Sequence, residues 1–261
     1  GGAAADVLTG GAGGDTITGG AGADTLAGGA GNDTIVGGTG GDTITGGAGA
    51  DTITAGAGAD TITGGAGADS IDITGTGAID TVIMTAGNGV NEAIAIDTIT
   101  GFDVSTAANN GDNIDIDISD VSASLNTGTL LTADGTDAVA AAAPTLTAIT
   151  AGGYDLGGAN SDILVLAGNY ASTDEVETAL EAGGSHALTS DDATGNYTAL
   201  DGFLVLYDND VNSFLATFSF AADPGDGATF AANGTTVTNI LQINGIDDVT
   251  DFVSNNFDLI A

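Results

Sequence analysis

Eight aspartates recur at intervals of nine at the start of this chain: Asp6, Asp15, Asp24, Asp33, Asp42, Asp51, Asp60 and Asp69. A single surface carboxylate does little chemistry. One that returns at a fixed period is brought into register by any repeating fold, and its copies then meet. An ionised carboxylate only accepts hydrogen bonds, so a row of them needs donors or cations between its members. The chain supplies few of either. Of 261 residues, 36 are acidic, none is Lys or Arg, and the formal charge is -36. The single histidine, His186, stands in "GGSHALT".

The elements that must position these aspartates are equally regular. Residues 1–72 divide into eight nine-residue units without a slip, and such periodicity marks a repeat architecture. Position 6 is the aspartate, and position 8 is Leu8, Ile17, Leu26, Ile35, Ile44, Ile53, Ile62 or Ile71. Positions 1, 2 and 4 are Gly except at Ala4 and Ala55. Each unit reads as a six-residue turn, GGxGxD, followed by a three-residue strand such as Thr16-Ile17-Thr18. Glycine permits the positive φ and close backbone approach of a tight turn. Thr-Ile-Thr suits a strand with one buried face.

Two units close one coil, so residues eighteen apart stack at the ~4.8 Å spacing of neighbouring strands. Asp6, Asp24, Asp42 and Asp60 then line one edge, and Asp15, Asp33, Asp51 and Asp69 the other. Carboxylates about 5 Å apart repel by roughly 3 kcal/mol per pair at an effective dielectric of about 20. Several such pairs exceed the 5–15 kcal/mol or so that holds a whole domain together. One aliphatic residue per nine cannot offset both this and the backbone ordering. Alone, the repeat is expected to be unfolded. A hard divalent cation between stacked turns reverses the sign. Ca²⁺ takes six to eight carboxylate and carbonyl oxygens, whereas Mg²⁺ prefers a small octahedral shell with retained water. Binding energy then becomes folding energy.

"GGAGGDTIT", "GGAGNDTIV" and "GGAGADTIT" resemble the GGxGxDxUx consensus of RTX proteins. The resemblance implies a parallel β-roll that binds Ca²⁺ between turns through the position-6 carboxylates and the glycine carbonyls. Carried onto this chain, the carbonyls are those of Gly11, Gly13, Gly20, Gly22, Gly29, Gly31, Gly38, Gly40, Gly47, Gly49, Gly56, Gly58, Gly65 and Gly67. Ala4 makes the first turn the weakest match, and Ala55 is a milder departure. "GTGAIDTVI" (75–83) is a degenerate unit shifted by two, with Asp80 as a last ligand. "IDTITGFDVSTAANNGDNIDIDIS" (96–119) resembles the segment that closes rolls in serralysin-like proteins, through Ile99, Phe102 and Gly111-Asp112-Asn113-Ile114-Asp115-Ile116. Its role would be to cap the open end, as terminal repeats must.

The chain therefore reads as all-β: a β-roll over 1–83, a roll-closing segment over 84–120, and a β-rich C-terminal domain with one short helix over 121–261. All twelve aromatic residues lie beyond residue 100, so the C-terminal part carries the conventional core. "DILVLAG" (162–168) and "TVTNILQING" (236–245) read as strands, and "FLVLY" with "FLATFSF" as a hairpin around "DNDVNS". "STDEVETALEAGG" (172–184) reads as a helix. Ser172 and Glu175 form its capping box, Gly183 its C′ residue, and Val176, Ala179 and Leu180 its apolar face.

Composition also excludes functions. A chain without Lys or Arg has no electrostatic footprint for nucleic acid and none for anionic membranes. It has no cysteine for disulfides or thiolate metal sites, and no apolar run long enough to span a bilayer. One histidine cannot build a two-histidine zinc site, and no G-x-S-x-G is present for a nucleophile elbow. No catalytic constellation is expected, and we read His186 as a loop residue. Gly1 is read as other than a translation start, and the chain as part of a longer protein. Asp258-Leu259-Ile260-Ala261 resembles the acidic-then-apolar tail of type I secretion substrates; the alternative is a last edge strand. Two functions stay open. One is a secreted, Ca²⁺-folded structural module of a bacterial surface layer, filament or adhesin. The other is the export and folding domain of a larger secreted hydrolase or toxin. The expected partners are calcium ions, the type I secretion machinery, and either further copies or cell-surface components.

Overall fold

A computed structural model describes residues 1–75, 78–84, 96–104, 111–117, 146–149, 154–155, 163–180, 188–189, 202–220, 235–252 and 256–260. His186 and Gly183 lie outside the described residues. The repeat forms β1 (Val7–Ala12), β2 (Thr16–Ala21), β3 (Thr25–Ala30), β4 (Thr34–Thr39), β5 (Thr43–Ala48), β6 (Thr52–Ala57), β7 (Thr61–Ala66) and β8 (Ser70–Asp72). Odd strands stack in one sheet and even strands in a second, each parallel and in register with the strand two units on. Leu26, Ile35, Ile44, Ile53, Ile62 and Ile71 fill the space between the sheets and are at most 1 % exposed. The chain is thus an all-β protein built on a parallel β-roll.

The division of each unit differs from expectation. The strands are six residues long, not three: they run from position 7 through position 3 of the next unit, and the turn keeps only positions 4 to 6. The glycines at positions 1 and 2 are part of the sheet. Gly11 pairs with Gly29 and Gly20 with Gly38, while position 1 drops out of the Cα register. Strand pairing needs an extended backbone and its N–H and C=O groups, and glycine has both. Position 2 still takes a conformation reserved for glycine, with Gly38 at φ +120°. A Cβ built on Gly38 would overlap the Gly20 carbonyl oxygen one coil below. Gly38→Ala is therefore expected to lower the calcium-saturated thermal midpoint, the backbone strain alone costing about 1–3 kcal/mol of stability. Alanine at the exposed neighbour Thr39 should shift it little.

Beyond the repeat the stack continues. β9 (Thr81–Met84) lies on β7, β10 (Asp97–Thr100) on β8, and β11 (Asn113–Asp117) on β9. Residues 96–119 were expected to cap the open end. Instead β10 and β11 form a further coil that is itself covered. The C-terminal part comprises β12 (Leu146–Ile149), β13 (Tyr154–Asp155), β14 (Ile163–Asn169), α1 (Thr173–Leu180), β15 (Leu188–Thr189), β16 (Gly202–Asp208), β17 (Asn212–Phe220), β18 (Thr235–Asn244) and β19 (Phe257–Ile260). β18 pairs parallel to β10, and β19 pairs parallel to β11. One sheet thus runs without a break from β2 through the roll to β12. The physical reason is burial. Ile99 and Ile114 are completely buried, and an end strand would leave them against water. Phe102, Phe252 and Phe257 meet at centroid distances of 5.8 and 5.5 Å and widen the core at this end.

The expected hairpin is β16–β17, antiparallel from Gly202↔Ser219 to Asp208↔Ser213. α1 buries Val176, Ala179 and Leu180, as its pattern requires. The Ser172 hydroxyl accepts from the Glu175 N–H at 3.3 Å. Glu175 reaches back one residue further than a standard capping box, to the Ala171 N–H. Among the described residues no helix is long and apolar enough to cross a membrane.

Candidate metal centre

The two edges assemble as two ladders of carboxylates. Each aspartate N–H donates to the Oδ1 of the aspartate one coil on: Asp6 to Asp24, Asp24 to Asp42 and Asp42 to Asp60 on one edge, at 2.7–2.8 Å. The other edge runs Asp15 to Asp33, Asp33 to Asp51 and Asp51 to Asp69, also at 2.7–2.8 Å. The expected member Asp80 takes the next place, accepting from Asp60 N–H at 2.9 Å. Two aspartates that sequence reasoning left out extend the ladders. Asp97 accepts from Asp69 N–H at 2.9 Å, and Asp112 from Asp80 N–H at 3.0 Å. A signal for Asp97 was present: Asp97-Thr98-Ile99-Thr100 repeats the Asp42-Thr43-Ile44-Thr45 quartet. Its distance from the regular period hid it.

From Asp24 and Asp33 onward each carboxylate therefore has its Oδ1 satisfied. Oδ2 of Asp15, Asp24, Asp33, Asp42, Asp51, Asp60 and Asp69 is buried and has no hydrogen-bond partner. Residues Asp24 through Asp80 of the ladders are at most 2 % exposed. A buried, unpaired carboxylate oxygen is among the costliest groups a fold can hold. Burial is the leading cause that pushes Asp42, Asp51, Asp60, Asp69 and Asp112 above the ordinary carboxylate range. The N–H from the neighbouring coil pulls each back, and a neighbouring carboxylate raises it again. The same causes push Asp80 up to about 6 and Asp97 to about 7.

A second oxygen sits beside each orphan. A Cβ placed on Gly10 would fall 2.6 Å from Asp15 Oδ2 and 2.6 Å from the Gly28 carbonyl oxygen. On Gly19 it would fall 2.6 Å from Asp24 Oδ2 and 2.5 Å from the Gly37 carbonyl oxygen. The position-1 carbonyl of the next coil therefore converges with the orphaned carboxylate, a donor the sequence reading did not single out. The carbonyls it did single out lie differently. Those of Gly11, Gly20, Gly22 and Gly29 point along the stack at the glycine one coil on. All fourteen glycines of that set have positive φ. Ala55 places a methyl at position 1 and is completely buried, yet Asp60 keeps its bond from Asp42 N–H at 2.7 Å. The first turn, with Ala4, is irregular: Asp6 Oδ2 is occupied by the Gly2 N–H at 2.7 Å. Among the described residues no three carboxylates converge, so any ion here draws most of its oxygens from backbone. Carboxylate plus carbonyl is the donor set of a hard cation, and the orphaned Oδ2 atoms show that these residues fit one.

Stacked parallel coils whose edges carry buried, cation-seeking carboxylates define a metal-dependent β-roll. The model of the RTX calcium-binding nonapeptide repeat, in four copies, matches residues 1–35 and 36–71. Residues 1–71 thus carry RTX nonapeptide repeats, and the cation that these repeats take is calcium. No curated protein matches the chain in sequence.

Proposed function

We propose that the chain is a secreted structural module that folds on meeting extracellular Ca²⁺ and contributes to a bacterial surface layer, filament or adhesin. The repeats mark a calcium-binding structural module of the kind found in secreted proteins. The observation that carries the reading is the run of orphaned, buried Oδ2 atoms. Calcium bound there would neutralise the ladders and join successive coils through Asp15 to Asp69, Asp80 and the glycine carbonyls. The chain's own residues supply the rest. Oδ1 ties each coil to the next through a backbone N–H, the Leu and Ile row excludes water, and the glycines let the coils approach.

In the cytosol, where calcium is scarce, the same charges would keep the chain open and threadable for the type I secretion machinery. Outside, calcium would fold it and oppose its return. Assembly is supported by the β1–β2 end of the roll, where Val7 is 79 % exposed and the outer side of β1 is unpaired among the described residues. Edge strands of this kind pair readily with another chain. With one histidine and no Lys or Arg, no enzymatic role is proposed. The absence of Lys and Arg also denies trypsin-type proteases a cleavage site, which suits an exposed coat.

The same uncovered end favours a second reading, in which a catalytic domain of a hydrolase or toxin stacks on β1 and β2 and this chain is its export and folding domain. Electron microscopy and light scattering of the purified chain, with and without calcium, separate the two. Calcium-dependent sheets or filaments are expected. Monomers at every concentration, with calcium saturating, would favour the export-domain reading.

A further inference from the structure

Asp60 and Asp69 are the last repeat aspartates of their edges, yet each presents the same buried, unpartnered Oδ2 as those inside the stack. The coil that faces each of them is not a nonapeptide. On one edge it carries Asp80, reached after a register shift, and on the other Asp97, which is 28 residues beyond Asp69. We infer that the calcium array runs past the repeat by one site on each edge, completed by Asp80 and Asp97, and stops at Asp112, where a backbone N–H stands in for the metal. This rests on the calcium reading of the repeat and goes beyond it, because Asp97 and Asp112 lie outside both matched segments.

The oxygens support the continuation. A Cβ on Gly75 would lie 2.9 Å from the Gly56 carbonyl oxygen, 3.6 Å from that of Ile73 and 3.8 Å from Asp80 Oδ2. A carboxylate and two carbonyls thus gather in the first irregular turn, more loosely than the pair at Gly10 and Gly19 and from Gly56 and Ile73 rather than from the next coil. On the opposite edge, Asp69 Oδ2 stands beside Gly64 as Asp51 Oδ2 stands beside Gly46, but no carbonyl oxygen comes as close to Gly64 as that of Gly64 comes to Gly46. The N–H to Oδ1 rungs do not change across the boundary, at 2.9 Å for both Asp60→Asp80 and Asp69→Asp97. Backbone pairing keeps pace, with Ile62↔Val82 and Ile71↔Ile99 in register.

Asp112 differs in the one respect that matters. Its Oδ1 accepts from Asp80 N–H at 3.0 Å, and its Oδ2 accepts from Asp103 N–H at 2.8 Å. Both oxygens accept a backbone N–H, so neither is an orphan that calls for a cation. Asn256 then donates to the Asp112 carbonyl at 2.9 Å, and β19 closes over the coil.

Calcium stoichiometry of the full chain tests this, by titration calorimetry and by metal analysis after desalting. Asp80→Asn and Asp97→Asn are each expected to bind one calcium fewer than the unaltered chain, or to weaken one site at least tenfold. Asp42→Asn, inside the repeat, should do the same. Asp112→Asn should keep the full number while lowering the thermal midpoint. Full stoichiometry and affinity in D80N and D97N, alongside a loss in D42N, would overturn the extension and leave the repeat reading standing. No loss in D42N would instead count against the repeat sites themselves. Where D97N does not fold, crystals of the unaltered chain grown with calcium decide the matter. Anomalous peaks are expected beside Asp60–Asp80 and Asp69–Asp97 and none beside Asp112. Peaks confined to Asp15 through Asp51 would overturn the proposal.

Discussion

Stripped of calcium at neutral pH, residues 1–75 are expected to lose their β structure, and millimolar calcium should restore it. The cause lies in the ladders. Stacked carboxylates about 5 Å apart repel by roughly 3 kcal/mol per pair at an effective dielectric of about 20. Their Oδ1 atoms are relieved by N–H donors, but the Oδ2 atoms have no partner in the protein. With neither Lys nor Arg in the chain, no side-chain cation other than His186 can take calcium's place. Far-UV circular dichroism of the chelated protein should show a largely disordered repeat. Part of the β signal should survive, because the C-terminal strands pack a core of their own. Leu164, Leu166, Val176, Leu180, Val205, Tyr207 and Phe218 form it without any ladder aspartate. Amide hydrogen exchange should separate the two regions, fast over 1–75 in chelator and protected over 203–218. A roll equally protected with and without calcium would sink the mechanism. Magnesium should rescue far less, since its small octahedral shell suits a carbonyl-lined edge poorly.

The second large effect expected is that acid substitutes for calcium. In the metal-free fold, burial raises Asp42, Asp51, Asp60, Asp69 and Asp112, with Asp80 at about 6 and Asp97 at about 7. Unfolded, the same groups titrate near 4. A group whose folded pKa is raised favours the fold when protonated. That contribution is fully present below the unfolded value and is lost as pH rises through the folded values. Metal-free protein brought from pH 7.5 towards pH 4 should therefore regain β signal across roughly pH 7 to 4. Calcium should run the opposite way, binding more weakly as pH falls, because protons compete for the same oxygens. Circular dichroism against pH in metal-free buffer reads the first effect, and calcium titration at pH 5 and pH 7.5 the second. A metal-free roll that becomes more disordered on acidification would show that the ladder carboxylates are not the groups that oppose folding.

Much of this site could be read directly from the residues. The nine-residue period, the aspartate at position 6 and the aliphatic at position 8 determined the coil, its two edges and its thin core. Each of those features is local and repeats without a slip, so a residue's neighbours in space follow from its number. The helix at 173–180 and the β16–β17 hairpin were legible for the same reason: caps, apolar spacing and a short turn are local signals.

What the tertiary structure decided is everything that depends on which distant strands meet. Position-1 and position-2 glycines look like turn residues by type, and only parallel pairing at Gly11↔Gly29 shows them to be strand. The position-1 carbonyls join the orphaned Oδ2 atoms because position 1 slips out of that pairing, a register effect with no composition of its own. Asp97 and Asp112 follow their ladder neighbours by 28 and 32 residues, so no period announces them. Phe257–Ile260 becomes the last strand of a roll sheet because β11 would otherwise present an unpaired edge. The sequence by itself determined that a cation is needed and which carboxylates repeat towards it. The fold decided how far the carboxylate rows extend and where they end, because each further rung requires a strand brought back from elsewhere in the chain.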